Sequence, residues 1–236
     1  MQLFYSTHIE GTRIMLDSGE SRHCLRVLRK KRGDRVQVVD GNGNLYEAEI
    51  TGDRAKTCEL KIISHEKNYG RRDFKVSIAI AIPKNTERFE WFLEKATEIG
   101  IDAIIPMLTE KSERSTLNTA RLRKILVSAM KQSGKAYLPV LHEPSRFSDM
   151  MVSGILASEQ KFIAVCSREH TLPHLKSKYQ KGKDALVLIG PEGDFTGGEV
   201  KLAAASGFQP VSLGASRLRM ETAGVVACHT VNLMND

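Results

Sequence analysis

From residue 74 onwards, short apolar segments alternate with amphipathic ones, and this alternation constrains the fold more than any other feature of the sequence. Residues 74–82 are apolar enough for a buried strand, and residues 86–99 have the periodicity of an amphipathic helix. Further strands are predicted at 103–107, 161–166, 184–189 and 210–213, and further helices at 119–133, 147–156, 198–205 and 221–233. This order predicts a mainly parallel sheet with helices on both faces.

The first 70 residues have the pattern of a small α+β domain. Residues 20–31 predict a helix, and residues 35–40, 45–51 and 57–63 predict short strands, with a Gly-Asn-Gly-Asn hairpin turn after the first. The polar segment 65–73 has the composition of a linker. We therefore expect two domains, covering residues 1–70 and 74–236.

The composition disfavours several classes of protein. Charged residues interrupt every apolar stretch, so no segment approaches the roughly 20 residues of a membrane span. The first residues lack the basic and apolar regions of a signal peptide. The four cysteines form no close pair, which indicates free thiols in a reducing compartment. We expect a cytoplasmic protein with no membrane segment and no metal site.

Basic residues are concentrated in two segments of this chain, whose net charge is +7. Residues 22–35 contain seven basic residues and one acid, and so do residues 111–135. Such clusters attract polyanions and favour phosphate contacts, although each alone could equally be a solvated helix face. Two clusters in one chain favour a nucleic-acid partner.

Two glycine-bearing segments follow predicted strands, LIGPEGDF at 188–195 and SLGASRLRMETA at 212–223. In open α/β sheets, ligands bind at the carboxyl ends of strands. The sequence has no GxxxxGK[ST] motif, and no GxGxxG motif follows the first strand of this half. A cofactor without phosphates is therefore favoured over ATP or NAD. The alternative is that both segments are only tight strand-to-helix turns.

These two segments resemble the cofactor loops of the SPOUT methyltransferases. Together with RHCLRVLRKKRGD at 22–34, KNTERFEWFLEKATEIGIDAIIPMLTEKS at 84–112 and KQSGKAYLP at 131–139, they are similar to the ribosomal RNA small subunit methyltransferase E family over nearly the whole chain. The resemblance implies methylation of N3 of a uridine in 16S rRNA with S-adenosyl-L-methionine. It also implies a PUA-like RNA-binding domain, an α/β domain with a C-terminal trefoil knot, a homodimer, and the small ribosomal subunit as substrate.

The resemblance assigns the cofactor pocket to residues of both loops. In the first loop these are Ile189, Gly190, Glu192 and Gly193, and in the second Leu213, Gly214, Leu218, Arg219, Met220, Thr222 and Ala223. Two positions depart from the family pattern, because Asp194 stands where the family often has glycine and Met220 where threonine is common. With Asp194 in place of glycine, the sequence does not determine whether the first turn keeps the backbone angles usual in the family.

The chemistry of methyl transfer suggests roles for two charged residues. Uracil N3 must lose a proton, and the negative charge then spreads to the ring carbonyl oxygens, where Arg219 would stabilise it. Glu221 would accept the proton or orient Arg219, or it is only a carboxylate that stabilises a helix N-terminus.

Five further basic residues are candidates for contacts with the RNA backbone. Arg22, Arg26 and Arg29 fall at helical spacing, and Lys84 and Arg88 follow the first strand of the second domain. For Arg88 the alternative is a surface ion pair with Glu87 or Glu94.

Two other functions fit the same pattern less well. One is a SPOUT methyltransferase that acts on another RNA or another base. The other is a ribosome-assembly protein that retains the fold without catalysis. The full-length similarity disfavours the first, and the intact GPEG and LRMET segments disfavour the second.

Overall fold

The computed structural model describes residues 2–54, 57–112, 116–152, 158–166 and 172–236. The chain divides into two compact units, each with its own β-sheet. The first contains the residues up to Arg71 together with Val127–Leu138, and the second contains Arg72–Leu126 together with Pro139–Asp236. Residues 127–138, which the sequence pattern assigned to the second domain, thus belong to the first unit. Within the described ranges, none of the helices is long and apolar enough to cross a membrane.

A six-stranded sheet forms the first unit. Its strands are β1 (Leu3–Tyr5), β2 (His8–Glu10), β3 (Arg13–Leu16), β4 (Arg35–Val39), β5 (Asn44–Arg54) and β6 (Thr57–Lys67). They lie in the order β1-β4-β5-β6-β3-β2, with β1 parallel to β4 and the other neighbours antiparallel. The sequence pattern predicts β4, β5 and β6, but it does not reveal the three short N-terminal strands.

The predicted linker is wrong in its first residues, because β6 continues to Lys67 and pairs there with Asn44. All five residues from Ile63 to Lys67 are exposed, so this part of the strand has no alternation of apolar and polar residues. Without that alternation, a strand resembles a polar linker in sequence.

The predicted helix at 20–31 is also wrong in its second half. Helix α1 (Ser18–Arg22) begins after Asp17, whose carboxylate accepts the N–H of Glu20 at 2.8 Å, and it passes into a π-helical turn at His23–Val27. Arg29 lies beyond this turn with a left-handed backbone, φ +55°. Arg22, Arg26 and Arg29 therefore do not lie on one regular helical face.

A second group of apolar residues in this unit includes residues distant in sequence. Val39, Met130 and Ala136 are buried together, with Leu3, Tyr5, Leu45, Tyr69 and Leu138 packed around them. The Gly41–Asn44 turn bonds to the same segment, because Gly43 N–H donates to Ala136 O at 2.9 Å and Leu138 N–H donates to Gly41 O at 2.9 Å. Gly43 has a left-handed backbone, φ +88°, and an ideal Cβ there would lie 2.2 Å from Cζ of Tyr137, so both the conformation and the space favour glycine.

The second unit contains a parallel sheet with strands and helices in alternation, as predicted. The strands are β7 (Val76–Ala81), β8 (Ala103–Leu108), β9 (Val140–Leu141), β10 (Ser145–Arg146), β11 (Gln160–Ala164), β12 (Ala185–Ile189) and β13 (Gln209–Val211). The helices are α2 (Thr86–Ile99), α3 (Thr119–Gln132), α4 (Phe147–Val152), α5 (Leu175–Lys178), α6 (Gly197–Ala205) and α7 (Met220–Leu233). Helix α3 is shared, since its residues from Val127 onwards belong to the first unit. Residues 153–156 of the predicted fourth helix lie outside the described residues.

The strand order is β10-β8-β7-β12-β11-β13, with β9 paired to β8, and every neighbouring pair is parallel. Ala79 of β7 lies in a buried cluster with Phe147 of α4 and Ala203 of α6. The next residue, Ile80, lies beside Gly224 of α7. Because consecutive strand residues point to opposite faces, the predicted helices on both faces are confirmed.

An arginine at the amino ends of the strands holds the far end of α7. Arg72 Nη1 donates to Gly100 O at 2.7 Å and to Asn232 Oδ1 at 2.5 Å, and Nη2 donates to Asp102 Oδ2 at 2.5 Å. Asn232 is buried near the end of α7. This network fixes the last turn of the helix whose first turn carries the predicted catalytic residues.

Candidate active site

All the parallel strands of the second unit end at one edge of the sheet, and the loops that leave this edge form the candidate site. The loops after β7, β8, β11, β12 and β13 are residues 82–85, 109–112, 165–166, 190–196 and 212–219. This edge is where an open α/β sheet binds ligands. The two glycine-bearing segments are therefore where the sequence analysis predicted them.

The first glycine-bearing loop is a tight turn directly after β12. Ile189 is buried at the end of the strand, and an ideal Cβ on Gly190 would lie 3.0 Å from the ring of Phe195. Gly193 and Asp194 both have left-handed backbones, with φ of +95° and +66°. Asp194 N–H donates to Pro191 O at 3.0 Å and closes the turn. Asp194 thus adopts a backbone conformation that glycine reaches more readily.

Two neighbouring loops bind this first loop. Lys111, after β8, donates from Nζ to Gly193 O at 2.7 Å and to Asp194 O at 2.9 Å. The backbone N–H of Cys166, after β11, donates to Asp194 Oδ2 at 2.7 Å. Lys111 is not among the site residues predicted from sequence, although its position just after a predicted strand is a signal that could have identified it.

The second glycine-bearing loop is anchored at its start and open further along. Ser212 N–H donates to Pro173 O, and Ser212 O accepts the N–H of Leu175, both at 2.9 Å. Gly214 is exposed with φ +126°, and a Cβ added there would meet no atom within 4 Å. The backbone of this loop therefore borders open space that a ligand can enter.

The second loop leads into α7, whose first residues carry both predicted catalytic groups. Arg219 is the N-cap residue, and its side chain is exposed and makes no capping hydrogen bond. Met220 is buried, whereas Thr222 and Ala223 are half-buried. The Glu221 side chain is 10% exposed and lies in the first turn, where a carboxylate interacts favourably with the helix dipole.

Arg88 of α2 connects the two loops. Its Nη1 donates to Oε1 of Glu192 at 2.6 Å, and its Nε lies 3.9 Å from Oε1 of Glu221. The side chain of Glu192 is 61% exposed, so the pair lies at the mouth of the site. The partners of Arg88 are thus Glu192 and Glu221, and not Glu87 or Glu94, which were the alternatives from sequence.

Lys84 lies on the surface beside an open groove of about 680 Å³. Asn85, Asn118 and Arg121 line the same groove, and Arg121 Nη2 donates to Glu90 Oε2 at 2.8 Å. The other three RNA-binding candidates, Arg22, Arg26 and Arg29, are exposed in the first unit. Within the ranges that the structure describes, no three His, Cys, Asp or Glu side chains are grouped to hold a metal ion.

The site has the properties that a cationic cofactor without phosphates requires. The carboxylates of Glu192 and Glu221 can balance positive charge, and exposed loop backbone supplies hydrogen-bond partners. The exposed guanidinium of Arg219 lies two residues from Glu221, so it can stabilise negative charge on a second reactant.

Comparison with known proteins identifies the family. The profile of the RNA methyltransferase domain matches residues 71–232, and that of the RNA methyltransferase PUA domain matches residues 16–63. The chain is 32% identical over 231 residues to the ribosomal RNA small subunit methyltransferase E of Synechocystis sp., across 96% of this chain and 74% of that protein. The chain belongs to the ribosomal RNA small subunit methyltransferase E family.

Solved structures agree with membership of this family. A probable rRNA-methyltransferase from Porphyromonas gingivalis is 40% identical, with a TM-score of 0.92, over 100% of this chain and 98% of that chain. The ribosomal RNA small subunit methyltransferase E of Neisseria gonorrhoeae, bound to S-adenosyl methionine, is 26% identical with a TM-score of 0.87, again over 100% and 98%. The predicted combination of a PUA-like domain with an α/β methyltransferase domain is confirmed.

Proposed function

We propose that this chain transfers a methyl group from S-adenosyl-L-methionine to N3 of a uridine in 16S rRNA of the small ribosomal subunit. The observation that carries the proposal is the Arg88 bridge, because one guanidinium contacts Glu192 of the first loop and approaches Glu221 at the start of α7. This contact supports the assignment of the two loops from the family resemblance to one site. The family membership and a relative with bound S-adenosyl methionine support the choice of cofactor.

The proposed cofactor pocket comprises the residues assigned from the resemblance in both loops. The methyl donor supplies a positively charged sulfonium and an activated methyl group. Glu192 would face that charge from the open side of the pocket, since its side chain is mostly exposed. Gly214 would let the ligand approach the backbone, because nothing occupies the space beside its Cα. Positioning of the two reactants then supplies much of the acceleration.

We assign the deprotonation and activation of the uridine to the first turn of α7. Arg219 would hold the negative charge that develops on the uracil carbonyl oxygens. Glu221 would accept the N3 proton, and its place in the first turn of α7, two residues from Arg219, supports this role. The alternative that Glu221 orients Arg219 has less support, because the guanidinium that approaches Glu221, at 3.9 Å, is that of Arg88.

The remaining parts of the proposal follow the family. We infer a C-terminal trefoil knot, which the packing of α7 supports, since α7 follows β13 at the sheet edge yet packs on α2, β7 and β12. We also propose a cytoplasmic homodimer, with residues of both subunits near each site. The exposed Arg22, Arg26, Arg29 and Lys84 would contact the rRNA backbone.

The decisive experiment maps the methylated nucleotide. Purified protein would be incubated with labelled S-adenosyl-L-methionine and small subunits from cells that lack the activity. Label on N3 of a single 16S uridine is the expected result. Label on another base or RNA would retain the methyltransferase activity but overturn the proposed specificity. Absence of both labelling and cofactor binding would instead favour the alternative function, a ribosome-assembly protein without catalysis.

A further inference from the structure

The first loop of this chain contains an unusual backbone conformation at Asp194. Among the described residues, only Arg29, Asn68 and Asp194 are non-glycine residues with positive φ. A left-handed conformation costs a residue with a Cβ about 1–2 kcal/mol. Glycine would adopt the same angles without that cost. Some interaction specific to the aspartate must therefore compensate.

The carboxylate of Asp194 makes two hydrogen bonds that glycine lacks. Oδ1 accepts the N–H of Phe195 at 2.8 Å, and Oδ2 accepts the N–H of Cys166 at 2.7 Å. Hydrogen bonds to an ionised acceptor are stronger than those between neutral groups. The bond to Cys166 crosses from the loop after β12 to the end of the neighbouring strand β11.

Lys111 binds the same turn from the other direction. Its ammonium group donates to the carbonyl oxygens of Gly193 and Asp194, at 2.7 and 2.9 Å. Lys111 follows β8, which lies on the opposite side of β12 from β11 in the sheet order. The turn is therefore bound from both sides. On one side the Asp194 carboxylate accepts the N–H of Cys166, and on the other the Lys111 ammonium group donates to the backbone of the turn.

We propose that Asp194 and Lys111 are positioning residues that hold the first loop in the shape that binds S-adenosyl-L-methionine. This inference rests on the proposed function of that loop. A loop fixed before binding loses less conformational freedom when the ligand arrives, so the affinity is higher. In this chain, hydrogen bonds from charged side chains to the backbone connect three loops. They fix the turn, whereas glycine at position 194 would only permit it.

The Asp194→Gly variant separates positioning from folding. Glycine removes the backbone cost and the two carboxylate hydrogen bonds together, so the melting temperature should change little. A purely structural role then predicts unchanged ligand affinity. A positioning role predicts a nearly unchanged melting temperature but about tenfold weaker binding of S-adenosylhomocysteine by calorimetry, since a hydrogen bond to a charged group is lost. It also predicts a higher KM for the methyl donor with little change in kcat.

Lys111→Met tests the other side of the link, and we expect a similar loss of affinity with partial recovery in Lys111→Arg. Lys201→Met, on an exposed position of α6, removes the same charge elsewhere and should bind as the wild type does. Hydrogen exchange without ligand should be faster at the amides of Phe195 and Cys166 in Asp194→Gly.

The outcomes distinguish this inference from the proposed function. Wild-type protein that fails to bind S-adenosylhomocysteine would overturn both. Wild-type binding with equal affinity in Asp194→Gly and Lys111→Met would overturn the positioning role alone. Weakened binding in both variants, with Lys201→Met unaffected, would support it.

Discussion

At the scale of single residues, Gly224 determines how closely α7 approaches α2 and the sheet. A Cβ at this position would lie 2.6 Å from Cε2 of Phe92 and 3.1 Å from Cδ1 of Ile80. Both neighbours are fully buried, so the core must shift to admit a methyl group. We expect Gly224→Ala to lower the free energy of unfolding by about 1–3 kcal/mol in urea denaturation, despite the higher helix propensity of alanine.

Gly197→Ala is the matched control for that variant. It also adds a methyl group to a helical glycine, at the first residue of α6, where the new Cβ meets no atom within 4 Å. Its free energy of unfolding should be unchanged or slightly higher. Equal stability of the two alanine variants would contradict the close packing described for α7.

Arg219 is the residue on which the proposed chemistry depends most. Because its side chain is exposed and makes no capping bond, Arg219→Ala should leave the fold intact. The variant keeps the backbone that residue 219 contributes to the proposed pocket, so binding of S-adenosylhomocysteine should be largely kept. Loss of charge stabilisation in the transition state should lower kcat by about 100-fold or more in single-turnover methylation of small subunits. Arg217→Ala, on the same loop and also exposed, should retain far more activity. Unchanged turnover in Arg219→Ala would rule out the assigned role.

At the scale of elements, Arg72 holds the end of α7 and the start of β8 together. Its guanidinium donates to Asn232, Gly100 and Asp102, and its side chain is only 27% exposed. Arg72→Met keeps most of the apolar stem but removes every donor. We expect it to lower the free energy of unfolding by about 2–3 kcal/mol, as for loss of hydrogen bonds to charged groups.

A surface arginine supplies the comparison for Arg72. Arg35 has a side chain that is 64% exposed and lies 3.7 Å from Glu47, so Arg35→Met should change the free energy of unfolding by no more than about 1 kcal/mol. Similar losses for the two variants would show that the network around Arg72 contributes nothing beyond an ordinary surface pair.

Elements with strong periodicity could be predicted from the sequence, and elements defined by distant contacts could not. The helix predicted at residues 86–99 has the bounds of α2, because an apolar helical face is a local pattern in the sequence. In the structure Asn85 caps its first turn. The π-helical turn at His23–Val27 has no such local signal. In the site, the glycine-bearing loops could be identified from the sequence. The partners of Lys111 and Arg88 could not, because Gly193 lies 82 positions from Lys111 and Glu192 lies 104 positions from Arg88. The pattern of a single sequence does not encode such distant pairs.

At the scale of the whole molecule, the basic segment in the first unit should determine the salt dependence of RNA binding. Arg22, Arg26 and Arg29 are all exposed, although they do not share a helical face. Replacing all three with glutamine should weaken binding to 16S rRNA. It should also reduce the slope of log K against log salt by up to about 2, because fewer counterions are released on binding when phosphate contacts are lost. The slope is measured by filter binding across a salt series.

The control for that variant removes the same net charge from the second unit. Lys176, Lys178 and Lys181 are exposed near α5, and their triple glutamine variant should bind RNA with a slope close to that of the wild type. Equal slopes for the two triple variants would mean that net charge alone, and not this basic segment, governs binding.

The association of residues 127–138 with the first unit has a consequence for how the protein folds during synthesis. A nascent chain released only as far as Arg71 would have the six strands but would lack Met130 and Ala136, which complete the apolar cluster around Val39. It would also lack Tyr137, which covers the Gly41–Asn44 turn. The N-terminal unit therefore cannot reach its final packing before residues 72–126 of the second unit have also emerged from the ribosome, so it does not finish folding before synthesis of the second unit begins.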